Sequence, residues 1–361
     1  MNTYFKGLDS LRAIAAMVVV VGHIELLKSQ NGIANIAEIV PDGHLGVMLF
    51  FVLSGFLITY LLSTERNEFG KVNLKNFYIR RILRIWPLYY FVLIISWLFF
   101  SADYQMEHFV YAFSIFPNVG HAIGFSWPTS PQIWSIGAEE QFYLFWPILL
   151  LTIGKRWVSL SLILFFIGFS ILPHIADFFN SRSIGYENVW TTLQKFLYDS
   201  KFSSIALGCL MGHVYAEKNW LLNVLRQKVV AYVAIYGSML MWMMHVEFSY
   251  FTDEIYVVLF AIAILNISTI NDLVIPKENL ILRFLGKISY GIYMYHWIVI
   301  LIALEVINRN SFFSDVSYNL VMYGFVISCT ILISWMSSVT LESYFLKKKS
   351  RFRKNSISLD N

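Results

Sequence analysis

The chain has 361 residues, of which 57% are hydrophobic and 14% are charged, and its formal net charge is +4. A soluble globular protein usually carries about 25% charged residues and about 45–50% apolar ones. Because this chain departs from both averages toward apolarity, its composition excludes a disordered chain, a collagen-like repeat and a cytosolic globule. It favours a polytopic helical membrane protein.

Apolar stretches long enough to cross a membrane recur along the chain. A spanning helix needs about 20 mainly apolar residues, whereas an outer-membrane barrel would show stretches of about ten residues with alternating polarity. The predicted cores of about ten spans are residues 8–27, 45–63, 82–101, 133–153, 157–174, 202–216, 229–245, 255–270, 285–305 and 318–342. The segment 106–117 is expected to form a re-entrant or interfacial helix. We therefore predict an all-α polytopic fold.

The basic residues predict how these spans are oriented. Lys and Arg concentrate in cytoplasmic loops. With the N-terminus inside, most loop cations face the cytoplasm, and the outer loops keep only Arg182, Lys195, Lys201 and Arg309. Both termini are therefore expected in the cytoplasm, with one membrane domain over residues 1–346 and a basic tail over 347–361. The positive net charge then reflects orientation in the bilayer, and it does not indicate nucleic-acid binding.

The first span carries three ionisable side chains, Arg12, His23 and Glu25. Such groups are costly inside a membrane and usually mark a functional site. Eleven residues separate Arg12 from His23, so the two lie within about 20° of one helix face and about 16 Å apart along the axis. A structural alternative is that Arg12 snorkels and His23 bonds a neighbouring helix. Glu25 is expected at the outer boundary.

The third span begins with Arg80, Arg81 and Arg84. Spacings of three and four residues place at least two of these cations on one helix face. Guanidinium groups suit phosphate oxygens, so this cluster indicates anion binding. Anchoring at the cytoplasmic membrane surface explains part of the cluster as well.

The fourth span opens with Trp134, Ser135, Glu139 and Glu140. Ser135 and Glu139 are four residues apart and share a face. Adjacent residues on a helix point about 100° apart, so only one of the two carboxylates is expected to face a given site. A pair that snorkels to the outer interface is the structural alternative.

Further polar residues interrupt the other spans. Tyr293 and His296 share a face of the ninth span, where His296 needs a hydrogen-bonding partner. The small pair Ser54–Gly55 permits close helix approach in the second span. The remaining histidines and both cysteines show no metal-ligand spacing, so no metal is expected.

Five strings, taken together and in this order, resemble the bacterial membrane-bound acyltransferase family 3: LDSLRAIAAMVVVVGH, GVMLFFVLSGFLITYLL, FYIRRILRIWPLYY, WSIGAEEQFYLFWPILL and SYGIYMYHW. The resemblance implies a multi-pass protein of the bacterial inner membrane that uses cytoplasmic acyl-CoA, usually acetyl-CoA, as co-substrate. It implies no permanently bound cofactor. The acceptor is a sugar hydroxyl of a surface or lipid-linked glycan, and a homodimer is compatible with the family.

The resemblance also implies roles for individual residues. Family motifs fall on Arg12 and His23, on the arginine cluster, on the Trp134–Glu139 element and on the Tyr293–His296 element. The expected catalytic residues are His23 and Glu139, the expected donor-binding residues Arg12, Arg80, Arg81 and Arg84, and the expected acceptor-binding residues Trp134, Ser135, Tyr293 and His296.

The mechanism expected from these roles uses neutral His23 as a general base toward the acceptor hydroxyl, with Glu139 orienting its ring. An acyl-histidine intermediate is an alternative route. A transporter or exporter without acyl-transfer chemistry, and a sensor, remain the rival classes. Some family members carry an appended extracytoplasmic hydrolase-like domain, and this chain is expected to work without one or with a separate partner.

Overall fold

The computed structural model describes residues 5, 7–34, 36, 40–100, 102–182, 187–270, 273, 279–307, 315–349 and 352, with only the backbone at positions 187, 188 and 315. Across these ranges the chain folds into helices and contains no strand, which confirms the predicted all-α class.

The helices, in chain order, are α1 (Leu8–Gln30), α2 (Gly43–Phe69), α3 (Leu74–Phe99), α4 (Met106–Ala112), α5 (Pro117–Ala122), α6 (Ile133–Thr152), α7 (Lys155–Asn180), α8 (Glu187–Ser200), α9 (Phe202–Ala216), α10 (Leu221–Leu225), α11 (Lys228–Met243), α12 (Thr252–Thr269), α13 (Leu280–Lys287), α14 (Ser289–Val306), α15 (Asp315–Ser337) and α16 (Ser343–Lys349). A π-helical turn, Ser338–Glu342, joins α15 to α16.

Seven helical stretches in the described part of the chain are long and apolar enough to cross a membrane. They are α1, α2, α3, α7, α12, α14 and the continuous stretch Val316–Lys349. This result confirms a multi-pass membrane protein. The other predicted cores also fall on helices, namely α6, α9 and α11, but α9 and α11 have only 15 and 16 residues and α6 carries two glutamates. The count of ten spans and the direction of the termini stay predictions.

Short or amphipathic helices, among them α4, α5 and α8, lie between the spans in the described ranges. The predicted interfacial segment 106–117 contains all of α4 and ends at the first residue of α5. Helix α8 was not predicted, because spans were recognised from apolar runs and this segment mixes apolar with charged residues. One predicted core, 285–305, is divided at Ile288 between α13 and α14.

Helices α2 and α9 form the closest packed pair at the centre of the fold. Gly55 of α2 lies against the backbone carbonyl of Ile205, and Gly208 of α9 lies against the carbonyl of Val52. A side chain at either glycine would collide with backbone atoms of the partner helix. Small residues allow this kind of close approach between membrane helices. The prediction that Ser54–Gly55 marks such a contact is confirmed.

Glu25 lies near the C-terminal end of α1, and its expected position at the outer membrane boundary stays a prediction. It is 4% exposed and accepts a 2.7 Å bond from Lys28, which is fully buried. The hydroxyl of Tyr323 on α15 donates to the same carboxylate at 2.6 Å. A buried ion pair compensates the desolvation of both charges only when further hydrogen bonds are present, and here α15 supplies them. The pair therefore fixes α1 against α15.

Candidate active site

A polar cavity lies where α1, α2, α3, α6 and α14 meet, and it encloses about 820 Å³ including its open mouth. Its lining brings together Arg12 from α1 and both Arg81 and Arg84 from α3. Among the residues that the other three helices contribute to the wall are Ser54, Ser135, Glu139, Tyr143, Ser289, Tyr290 and Tyr293. Six of the predicted site residues therefore share one cavity, although they are far apart in sequence.

The two arginines of α3 present unpaired guanidinium groups to this cavity. The guanidinium of Arg81 lies 5.0 Å from the ring centroid of Tyr143, a cation–π distance. Within the described ranges, neither Arg81 nor Arg84 forms a hydrogen bond or an ion pair with an acidic side chain. Arg12 contacts Asp9 only at 3.5 Å. Guanidinium N–H groups are thus available to a bound anion.

Arg80 is separated from its two neighbours. Its Nη2 lies 3.7 Å from the Glu65 carboxylate, and its Nη1 donates to the carbonyl of Phe352 at 3.3 Å. Arg80 is not among the residues that line the cavity, although Arg84, four residues later and on about the same helix face, does line it. The structure therefore places Arg80 outside the group of cavity arginines in which the sequence analysis had included it.

Glu139 and Glu140 face different cavities, as their adjacency on the helix predicted. Glu139 lines the arginine cavity and accepts hydrogen bonds from the hydroxyls of Ser54 and, at 2.9 Å, Tyr143. Glu140 accepts from the Trp86 indole at 2.9 Å and lines a smaller cavity of about 300 Å³. The predicted contact between Glu139 and His23 is not present in the described structure.

Ser135 and Tyr293 join α6 to α14 at the cavity wall. Their hydroxyl oxygens are 2.6 Å apart, and Tyr293 also donates to the carbonyl of Gln132 at 3.0 Å. Trp134 lies elsewhere, because its ring stacks on His121 at 5.8 Å between centroids and is outside the cavity lining. The structure thus groups Ser135 with Tyr293 but separates Trp134 from both.

His23 and His296 form a direct pair between α1 and α14. The His23 Nδ1 atom lies 2.7 Å from the His296 Nε2 atom, and the two ring planes differ by 3°. His296 is fully buried, whereas His23 is half-buried. The Trp297 ring lies edge-on to His23 at 4.9 Å. His296 therefore has the hydrogen-bonding partner that the sequence required of it.

The hydrogen-bond network assigns a proton to each ring. The Nδ1 atom of His296 lies 3.1 Å from the carbonyl oxygen of Ile292, which can only accept. In the neutral ring this assignment leaves Nε2 of His296 as an acceptor, so His23 donates from Nδ1. The remaining nitrogen of His23, Nε2, then keeps its lone pair. Such a nitrogen can act as a general base.

The histidine pair is outside the cavity lining but contacts Tyr293, which is part of it. Tyr293 lines the cavity, and its ring centroid is 5.7 Å from that of His296. His23 itself is outside the cavity lining, although Arg12 on the same continuous helix lines it. At 1.5 Å per residue the two α1 side chains are about 16 Å apart along the helix axis. Arginines and histidines are therefore joined through α14.

Four polar residues that line the cavity were not predicted as site residues, namely Ser54, Tyr143, Ser289 and Tyr290. Tyr143 carried a usable signal, because it follows Glu139 by four residues on the same helix face. Ser54 had been read only as a small residue, and its bond to Glu139 depends on tertiary packing. In the described ranges, no group of three or more His, Cys, Asp or Glu side chains is arranged to hold a metal ion.

A multi-pass helical fold with a cationic cavity beside a histidine pair defines the class of protein, and comparison with known families gives its place within that class. The family model described as an acyltransferase domain, acyltransferase family 3, matches residues 5–339. The chain belongs to this family. The match confirms the resemblance inferred from the five motifs.

Individual relatives carry O-acetyltransferase names. A protein of Staphylococcus aureus strain COL, named "Putative O-acetyltransferase", is 29% identical over 375 residues, which cover 96% of this chain and 58% of the relative. The peptidoglycan O-acetyltransferase OatA of Listeria monocytogenes is 29% identical over 343 residues, covering 84% of this chain and 50% of the relative. The O-acetyltransferase OatA of S. aureus strain NCTC 8325 is 24% identical, with 96% and 58% covered.

The chain thus spans between half and three-fifths of the length of these relatives. No solved structure matches it.

Proposed function

We propose that this protein is a membrane O-acetyltransferase that moves an acetyl group from acetyl-CoA to a sugar hydroxyl of a cell-envelope glycan. Membership of the acyltransferase family supports the reaction class, and the names of the relatives support acetyl transfer and a glycan acceptor. The observation that carries the proposal is a cavity with unpaired arginines whose wall residue Tyr293 contacts His296 of the histidine pair.

The arginine end of the cavity suits the phosphorylated end of the donor. Arg81 and Arg84 have guanidinium groups without acidic partners, and Arg12 adds a third cation. Charge-assisted bonds from guanidinium to phosphate are among the strong hydrogen bonds in proteins. Arg80 already contacts Glu65, so we assign it to holding α3 and not to binding the donor.

The histidine pair suits proton transfer at the acceptor. In the proposed step, Nε2 of His23 removes the proton of the sugar hydroxyl as that oxygen attacks the thioester carbon. The carbon–sulfur bond breaks, and the departing sulfur takes the proton back from His23. His296 fixes the tautomer of His23 and accepts from Nδ1 while the ring is charged. An acyl-histidine route uses the same nitrogen as nucleophile.

Glu139 receives a positioning role in this proposal. Its carboxylate holds the hydroxyls of Ser54 and Tyr143 and lies in the same cavity as three cations. A carboxylate among guanidinium groups lowers their mutual repulsion. The orienting role expected of Glu139 toward His23 passes to His296, which makes the contact.

The cellular setting follows from the direction of α1. Arg12 lies near its first turn, and His23 lies in its second half. With the N-terminus inside, the donor enters from the cytoplasm, and His23 lies toward the outer face of a bacterial inner membrane. The distribution of basic loop residues supports this direction. A homodimer is compatible with the proposal but is not required by it.

Purified full-length protein in lipid nanodiscs tests the proposal. We expect it to release free CoA thiol from acetyl-CoA and to acetylate N-acetylglucosamine oligosaccharides, with the ester detected by mass spectrometry. His23→Ala should abolish transfer while binding CoA as tightly as the unmodified protein. His245→Asn is the matched control, because His245 is exposed and Asn tolerates its positive φ of 50°. Transfer at the normal rate by His23→Ala contradicts the proposal.

A further inference from the structure

A second polar cavity lies apart from the arginine cavity. It encloses about 600 Å³ between the last turns of α7 and α8, the start of α9 and the segment 248–254. Its walls include His174, Tyr198, Lys201, Phe251 and Asp253. These residues are distinct from those assigned to the acyl-transfer site. We call this cavity the aromatic pocket.

The aromatic pocket lies at the end of the helices that carries His23. Gly22 of α1 packs against Gly43 at the start of α2, where a side-chain carbon on Gly22 would come within 3.0 Å of the Gly43 Cα. The residues that follow these glycines are His23 and His44. The His44 Nε2 atom lies 3.4 Å from the Asp253 carboxylate in the pocket wall. The pocket wall therefore contacts the first turn of α2, which packs against α1 at Gly22, one residue before His23.

The pocket wall carries one lysine and two carboxylates, those of Asp253 and Glu254. Lys201 forms an ion pair with Asp253, and its ammonium lies 3.3 Å from the ring centroid of Tyr198. The His44 ring stacks on the same Tyr198 ring, with 5.9 Å between the ring centroids. With its one lysine already paired, the wall does not offer the excess of cations that a phosphate needs. It does offer both N–H donors and carboxylate acceptors at one place.

Aromatic rings flank these polar groups. The His174 ring lies edge-on to Phe251 at 4.9 Å and to Tyr250 at 6.1 Å. Tyr250 is 70% exposed, so its face is open at the rim of the pocket. A pyranose ring has an apolar C–H face and a rim of hydroxyls that both donate and accept. An open aromatic face beside mixed donors and acceptors matches both parts of that ligand.

Hydrogen bonds and backbone conformations within the chain hold part of the pocket wall in place. The backbone N–H of Phe248 donates to the Thr252 hydroxyl at 2.9 Å, and that hydroxyl donates to the Phe248 carbonyl at 2.8 Å, which closes the 248–252 turn. Lys201 and Phe251 have positive φ angles of 46° and 60°, a conformation that non-glycine residues keep only where the surrounding structure holds it. A preformed wall loses little entropy on binding.

We infer that the aromatic pocket binds a saccharide unit of the acceptor glycan, next to the unit whose hydroxyl receives the acetyl group. That this saccharide belongs to the acceptor rests on the proposed function, but saccharide binding itself can be measured without any acetyl transfer. Tyr250 and His174 supply the stacking surface, and Lys201 with Asp253 supplies the hydroxyl contacts.

Direct binding tests the inference. The full-length His23→Ala protein in nanodiscs is titrated by calorimetry with chitotetraose, cellotetraose and maltotetraose, and separately with choline and inorganic phosphate. We expect at least one tetrasaccharide to bind, and Tyr250→Ala in the same background to weaken that binding roughly fivefold, the loss of one aromatic contact. Tyr236→Ala is the matched control, because Tyr236 is 49% exposed and lies outside the pocket.

Kinetics separate this inference from the proposed function. In an active protein, Tyr250→Ala should raise KM for a tetrasaccharide acceptor and leave KM for acetyl-CoA and for a monosaccharide acceptor unchanged. Saccharide binding without acetyl transfer would remove the proposed function and keep the pocket. Binding of choline or phosphate in place of every tetrasaccharide, or tetrasaccharide binding that Tyr250→Ala leaves unchanged, would overturn the inference.

Discussion

The two nitrogens of His23 have different partners, and the difference determines what the residue can do. Nδ1 is held by His296 at 2.7 Å, and Nε2 keeps a lone pair that no side chain of the described structure uses. The Ile292 carbonyl fixes this arrangement from the far side of His296. A neutral residue thus holds the position that a carboxylate occupies in a Ser-His-Asp triad.

Replacing His296 tests this reading of the pair. We expect His296→Ala to lower kcat by about 10²- to 10⁴-fold, since a misoriented base loses most of its effect, with KM for acetyl-CoA unchanged. His296→Gln should recover part of the activity, because its amide oxygen can accept from His23. The double variant with His23→Ala should be no slower than His23→Ala alone. Independent, additive losses in the double variant would contradict a pair that acts as one unit.

The arginines of α3 give a second prediction at the level of single residues. Arg81→Ala and Arg84→Ala should each weaken CoA binding by about tenfold to a hundredfold, the loss expected for a charged hydrogen bond to phosphate. Calorimetric titration of the purified protein with CoA measures this effect.

Arg80→Ala is the matched control for these variants. Its guanidinium is 3.7 Å from Glu65 and is not part of the cavity lining, so we expect a change in CoA affinity of less than about threefold. Equal losses at Arg80, Arg81 and Arg84 would mean that the cluster acts through general surface charge, and the assignment of the cavity to the donor would then fail.

At the level of helices, the contact between α2 and α9 determines where the site residues lie. Ser54 is adjacent to Gly55, so the depth at which α9 packs against Gly55 sets the position of the Ser54 hydroxyl bound by Glu139. The Trp146 indole of α6 donates to the Thr59 hydroxyl of α2 at 2.8 Å, and this bond holds α6 against the α2–α9 pair. Close packing of α2 and α9 therefore supports the cavity from behind.

Alanine substitutions at two glycines test this packing. In Gly55→Ala the new methyl group would collide with the Ile205 carbonyl, and we expect a loss of about 1–3 kcal/mol, the usual cost of overpacking. Gly168→Ala on α7 is the control, because nothing lies within 4 Å of its added carbon. Thermal unfolding in detergent should show a lower Tm for the first variant and an unchanged or higher Tm for the second. Equal Tm values would show that the helices can separate without cost.

At the scale of the whole molecule, the two cavities lie at different ends of the helices. The arginine cavity includes Arg12 near the first turn of α1, whereas the aromatic pocket meets the first residues of α2, beside Gly22. The histidine pair lies along the path between them on α1. In the proposed orientation, donor and acceptor approach from opposite faces of the membrane.

Labelling of single cysteines in intact cells tests this orientation. With Cys209 and Cys329 replaced by Ala, we expect a membrane-impermeant maleimide to label Ser249→Cys in the loop before α12, because that loop should face outward. Lys71→Cys, in the turn after α2, should be labelled only after the cells are opened. The opposite labelling pattern would reverse the topology and with it the side from which the donor enters.

Much of the fold could be predicted from local properties of the chain. Apolar runs located the predicted spans on helices, with 285–305 divided between α13 and α14, because burial in lipid depends on the composition of a continuous segment. Helical periodicity predicted that Glu139 and Glu140 face different sites. The five motifs predicted the family that the domain match confirms.

Tertiary structure alone decided the partners of these residues. His23 meets His296 across 273 positions of sequence, and Glu139 meets Ser54 across 85. The same packing pairs Arg80 with Glu65 and buries Glu25 with Lys28. A helix keeps its own periodicity in any environment, but its rotation and depth against its neighbours are set by side chains from other helices. The local sequence therefore specifies which residues share a helix face, and tertiary packing decides which helix faces are in contact.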